Sequence, residues 1–291
     1  MKKAAIPILL MLLLLPACSG DIDKPYHVAF NESAWNTLDW ADSGFNDSAE
    51  FEAEVYGYIE AISDYCDRPD WYKAYSEKHG DDYELVINYI WVSGRSHVEH
   101  GYESHKYLVP NVYLKKDHLE NGLAPIAHET THILFPHYSA LSYREGLASY
   151  MQDKFGQNPD FRTLGINVHR FAAYYHTAPL DADMRAQYND VIAVLGTGDA
   201  AELKCAESEM RPVYYILSHS LTAYFIDNHG IQKFMTLYES DDPISDFDGL
   251  YGFSFNDARA GWLSFLESDA EPLSTREYIA YREELDGILA Q

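Results

Sequence analysis

The chain has 291 residues and carries 46 Asp and Glu against 21 Lys and Arg, a formal net charge of -25. Such acidity makes nucleic acid and anionic membrane surfaces poor partners. With 47% apolar residues, the bulk of the chain is not disordered, and its length suits one large domain or two small ones.

The first elements are a processing signal. Lys2 and Lys3 precede the apolar run AAIPILLMLLLL, which is too short to span a bilayer comfortably and is interrupted by Pro7. Leu15-Pro16-Ala17-Cys18 resembles the lipobox of bacterial lipoproteins. That resemblance implies removal of residues 1–17, palmitate or a similar acyl chain on Cys18, and a protein held to the cell envelope by lipid alone. Ser19, in place of Asp, carries no signal for retention at an inner membrane, so an outer membrane is expected where the cell has one. A plain secretory peptide that happens to contain a Cys is the alternative.

Residues 18–45 read as a polar tether. In residues 46–120, Phe51, Val55, Tyr58, Ile59 and Ile62 recur at helical spacing, with Ser48 as a candidate cap. YELVINYIWV (83–92) and HKYLVPNVYL (105–114) are rich in β-branched and aromatic residues and read as strands. Pro110 puts the second of these at a sheet edge. From residue 121 to the end the pattern is helical. The fold class is therefore α+β: a small mixed sheet with an edge strand, followed by a mostly helical lobe. Cys66 and Cys205 remain after processing, and outside the cytoplasm they form either a disulfide or two buried free thiols.

The chemistry sits in AHETTHILFPHYSALSYREGLASY, residues 127–150. Pro125 suits a first helical turn and Pro136 ends the helix near Phe135. His128 and His132 are four apart and share one face, as a zinc ion requires, and Glu129 beside them can serve as a base toward water. Ile126 and Ile133 lie roughly opposite, toward the core. Glu145 is the candidate third ligand. Ser142-x-x-Glu145 is also a capping box, which by itself would make Glu145 an ordinary helix-start residue. That reading leaves Gly146 and Ala148 unexplained, small residues that would let the second helix lie close to the first. His97, His100, His105, His118 and His137 fit no ligand spacing.

His128-Glu129-Thr130-Thr131-His132 followed by Glu145-Gly146-Leu147-Ala148 resembles the gluzincin metallopeptidases. The resemblance spans roughly residues 47 to 267 and is specific at 127–150. It implies a zincin-like fold, one zinc ion on His128, His132 and Glu145, and Glu129 as general base. In the thermolysin branch an Asp four residues past the Glu ligand orients a zinc histidine; this chain has Ser149 there. The G-x-M-E-N strand of the aminopeptidase branch is absent. VYYILSHSLTAYFIDNHG (213–230) is similar to the family's downstream helix, and counting nine back from Tyr224, near Gly230, implies Tyr215 as the catalytic tyrosine. His219 on the same stretch is either a substrate contact or a satisfied core group.

The function these features point to is zinc-dependent hydrolysis of peptide or protein substrates outside the cytoplasm. The alternative is a surface lipoprotein that binds metal without catalysis. A metal-delivering lipoprotein would be expected to carry a mobile His-rich or acidic loop, and no dense His tract is present.

Overall fold

Tyr26 and Val28 turn inward and His27 outward, the two-residue period of a strand. This strand, β1 (Tyr26–Phe30), opens a computed structural model that describes residues 24–30, 32–76, 84–100, 103–104, 107–108 and 110–289. The signal segment with Cys18, and His105, lie outside the described residues. After β1 come α1 (Glu32–Trp35), α2 (Ser48–Tyr65) and α3 (Lys73–Ser76). Five strands follow: β2 (Glu84–Val92), β3 (His97–Glu99), β4 (Glu103–Ser104), β5 (Tyr107–Leu108) and β6 (Asn111–Lys115). The helical part begins with α4 (Lys116–Glu120), α5 (Ile126–Leu134), α6 (Leu141–Phe155), α7 (Val168–Thr177) and α8 (Ala182–Val194). It ends with α9 (Ala201–Glu207), α10 (Arg211–His229), α11 (Ile231–Tyr238), α12 (Pro243–Tyr251), α13 (Phe255–Ser268) and α14 (Thr275–Leu289). The fold is α+β.

Helix α2 buries Phe51, Val55, Tyr58, Ile59 and Ile62, the face its periodicity defines. Its cap is Asp47, not Ser48: the Asp47 carboxylate accepts the N–H groups of Ala49 and Glu50. The expected tether is not one from residue 26 onward. Trp35 is fully buried, its indole N–H donates to the Tyr89 carbonyl at 3.2 Å, and Leu38 and Phe45 join the same core. Large aromatic surfaces in this stretch gain more from burial against α2 and the sheet than the polar residues around them gain from water.

The sheet is mixed. β2 is central, flanked in parallel by β1 on one side and by β5 and β6 on the other. β3 and β4 run antiparallel to β6 and β5 and form the outer edge. Strands β5 and β6 are therefore inner strands, contrary to the edge position read from Pro110. Pro110 sits at the break between β5 and β6, where its carbonyl still accepts the Asn88 N–H at 2.9 Å. On the other side the register shifts by one residue, from Glu99 opposite Asn111 to Glu103 opposite Leu108. The missing N–H falls at an irregularity of the ladder, which is the other place a sheet tolerates proline.

The two described cysteines are free thiols. Cys66 closes α2 and is buried, which pushes its thiol up to about 12. Cys205 is half-buried on α9 near Asp190 and Glu202. The disulfide alternative is not realised. Among the described residues no helix is long and apolar enough to cross a membrane.

Candidate metal centre

Gly122 takes φ +66°, a left-handed conformation that suits glycine, and turns the chain toward α5. Pro125 precedes the first turn of α5, and Phe135, ahead of Pro136, closes it. All nine residues of α5 are buried, so the helix is a central strut of the molecule. The N–H of His128 lies in the first turn and has no partner within the helix; Gln152 Oε1 accepts it at 3.0 Å. At the other end Tyr75 donates to the Ile133 carbonyl at 2.7 Å and Tyr238 to the Phe135 carbonyl at 3.0 Å. Thr130 and Tyr89 bond through their hydroxyls at 2.9 Å, tying α5 to β2. A helix secured at both ends and on its sheet side holds its side chains in fixed positions.

On that strut the His128 and His132 rings lie edge to face, with Nε2 atoms 3.2 Å apart. Glu145 Oε2, from α6, lies 3.6 Å from the first Nε2 and 3.7 Å from the second. A point equidistant from the three atoms is about 2 Å from each, the length of a zinc–nitrogen or zinc–oxygen bond. All three residues are buried, and together they could hold a metal ion. Burial pushes the His132 imidazole down to about 3, so it stays neutral with a lone pair to offer. Burial opposes the Glu145 carboxylate, but His132 and His128 outweigh it and keep the group ionised. Neutral imidazole and carboxylate are the protonation states that metal ligation needs.

The capping-box alternative for Glu145 is not what the fold uses. The Ser142 N–H is accepted by Glu202 at 2.8 Å, and Ser142 Oγ also donates to Glu202 at 3.2 Å. Glu202 is buried and further accepts the Tyr214 hydroxyl and the Thr197 N–H. With the helix start served from α9, Glu145 is free to turn to the histidines. Gly146 does not face α5 as its sequence context implied. A Cβ there would meet Thr222 Oγ1 at 2.2 Å and the Ser218 carbonyl at 2.5 Å, so the glycine admits α10.

Compared with known proteins, the chain matches no family model, no characterised relative and no solved structure.

Glu129 is buried, and burial pushes its carboxyl up to about 7. It makes no side-chain hydrogen bond among the described residues and is not one of the three residues whose ligand atoms converge. Ser149 Oγ lies 3.5 Å from His128 Nδ1, a long contact in the place where a carboxylate would orient the ring. His132 Nδ1 is buried and has no hydrogen-bond partner among the described residues.

Of the adjacent tyrosines on α10, Tyr214 is fully buried and gives its hydroxyl to Glu202. Tyr215 lies on the other side, half-buried. Burial and then the charge of Glu145 raise its hydroxyl above the usual phenol value, which keeps it a donor. His219 is buried one turn further on, 3.8 Å from Asp153, and burial holds it neutral, down to about 3. The other histidines stay outside the set. His97 stacks on Tyr113, His100 approaches the Tyr75 hydroxyl, His118 packs on Phe161, and His137 is exposed.

Sequence reasoning missed four polar neighbours. Gln152 accepts the His128 N–H and Glu202 the Ser142 N–H. Arg144 lies 3.9 Å from Glu145 and stacks on Tyr138. Arg162 pairs with buried Asp160, and its charge reaches Glu145, Tyr215 and Glu129. The only trace of this in the chain is the two-residue spacing of Asp160 and Arg162, which marks a local ion pair and says nothing of its neighbours.

Proposed function

We propose that this chain is a zinc-dependent peptidase of the gluzincin kind, with a zincin-like fold, acting outside the cytoplasm and held to the cell envelope by lipid on Cys18. The observation that carries the reading is the convergence of His128 Nε2, His132 Nε2 and Glu145 Oε2 on one point, with a separate buried carboxyl, Glu129, on the same helix and electrostatically coupled to His128 and Glu145. Three protein ligands leave a fourth position for water or substrate, as catalytic zinc requires. Among the described residues no fourth His, Cys or carboxylate completes a closed structural site.

Zinc, when bound, polarises a carbonyl and lowers the pKa of water. Glu129 accepts the water proton and delivers it to the leaving amine. Tyr215 donates its hydroxyl to the carbonyl oxygen as negative charge develops there. An extended peptide pairs with the outer edge of β3, which carries no further strand among the described residues and packs close to α5.

The test uses the chain without residues 1–18 on a mixed protein substrate. Hydrolysis should stop with chelator and return with about one equivalent of zinc. His132→Ala should hold no zinc. Chelator-resistant hydrolysis, or zinc retained by that variant, would overturn the reading. Tyr215→Phe should keep its zinc and its fold and lose turnover by about 100-fold, the usual effect of removing one oxyanion donor. Parental turnover in that variant would take Tyr215 out of the mechanism.

A further inference from the structure

Arg162 combines a buried anion partner with contact to Tyr215, the proposed catalytic phenol. Its Nη1 donates to Asp160 Oδ2 at 2.9 Å, and its backbone N–H to Asp160 Oδ1 at 2.8 Å. Asp160 is only 1% exposed. The guanidinium packs against the rings of Phe161 and Tyr215, 4.9 and 4.5 Å from their centroids. One carboxylate and two aromatic faces thus fix its plane. Among the described residues its Nε and Nη2 donate to no acceptor, and its side chain keeps 22% of its surface in solvent. A second guanidinium, Arg211, lies 5.6 Å from the same Tyr215 ring.

A purely structural ion pair gives no reason for these features. An arginine that served only to neutralise Asp160 would be expected to turn a two-donor edge to it, as Arg68 does to Glu239 through Nε and Nη2. Arg162 spends one side-chain donor on its anchor and, among the described residues, leaves Nε and Nη2 without an acceptor beside the Tyr215 ring. A planar fork held rigid, with uncommitted donors, is suited to a carboxylate, which it can bind bidentately with little further ordering.

We propose that Arg162, anchored by Asp160 and packed on Tyr215, binds a carboxylate group of the substrate beside the metal centre. The inference rests on the peptidase reading and deepens it. The substrate class is peptides that present an anionic group next to the bond cut, either the free C-terminal carboxylate or an acidic side chain.

Binding rather than turnover tests this, by calorimetry on the zinc-loaded protein with three probes: N-acetylphenylalanine, its C-terminal amide, and N-acetylglutamic acid α-amide. At least one acid should bind about tenfold or more tightly than the neutral amide, as expected for a charge-assisted pair. In Arg162→Gln the advantage should vanish. A gain confined to N-acetylphenylalanine assigns the C-terminal carboxylate; one confined to the glutamic amide assigns an acidic side chain. Equal binding of all three by the parent protein overturns the proposal. So does an advantage that survives Arg162→Gln, since the metal or Arg144 would then be its source. If circular dichroism shows that Arg162→Gln does not fold, Arg162→Lys replaces it. Lysine keeps the pair with Asp160 but loses the planar fork, so the advantage should fall by about threefold or more, and an unchanged advantage overturns the proposal. The two readings fail separately. Arg162-dependent acid binding without peptide hydrolysis removes the peptidase, and hydrolysis without acid preference removes the carboxylate subsite.

Discussion

Glu129→Gln is expected to keep its zinc and to lose peptide hydrolysis by about 100- to 10,000-fold, the range that a positioned general base contributes. The substitution preserves shape and removes only the capacity to take a proton. Glu129 lies outside the triad of His128, His132 and Glu145, so zinc content should not change. The variant should also be at least as stable as the parent. Burial is what pushes the Glu129 carboxyl up to about 7, so the fold already disfavours charge at this position and a neutral amide suits it. Zinc analysis, a thermal melt and a turnover measurement on one preparation decide the matter. Full turnover would exclude Glu129 as the base. Loss of zinc would instead make it a ligand and require a different centre.

Gly146→Ala should destabilise the protein by about 1–3 kcal/mol, the usual range for overpacking a core. Two effects compete here. Alanine is the better helix former by about 1 kcal/mol, which by itself predicts stabilisation of α6. Against that, the new methyl would sit 2.2 Å from Thr222 Oγ1 and 2.5 Å from the Ser218 carbonyl. A side-chain hydroxyl can rotate away; a helix carbonyl cannot, so α6 and α10 must separate. Overpacking therefore wins, and the melting temperature should fall despite the propensity gain. The consequence extends to the centre, because Glu145 is the neighbouring residue and Tyr215 and His219 stand on α10. Zinc affinity should weaken together with stability. A variant as stable as the parent, with parental zinc affinity, would show that the two helices are not in contact at this point.

Short-range pattern carried much of what could be read from the chain. Phe51, Val55, Tyr58, Ile59 and Ile62 form one face of α2 because 3.6 residues make a turn whatever the partner. For the same reason His128 and His132 must share a face of α5, and Pro125 and Pro136 must bound it, since proline restricts its own backbone and that of the residue before it. Strand β2 was legible from β-branched and aromatic content.

What depends on residues far apart in the chain was not legible. Pro110 has the same local constraint at a sheet edge and at a break within the sheet, and only the pairing of β3 and β4 outside β6 and β5 distinguishes them. Residues 26–45 look polar until α2 and β2 supply a surface for Trp35 and Phe45. Glu145 carries a capping-box spacing, and whether it caps or turns to the histidines depended on Glu202, 60 residues beyond Ser142, taking the Ser142 N–H. Tyr214 and Tyr215 are neighbours with equal propensity, separated only by what meets each face of α10: Glu202 on one side, Arg162 and the charge of Glu145 on the other. Sequence by itself determined the pair of imidazoles and the helix that presents them, because those follow from backbone geometry within one turn. Where Glu145, Tyr215 and Arg162 sit was decided by tertiary structure, because each arrives from a different part of the chain and its position depends on long-range packing that no local spacing encodes.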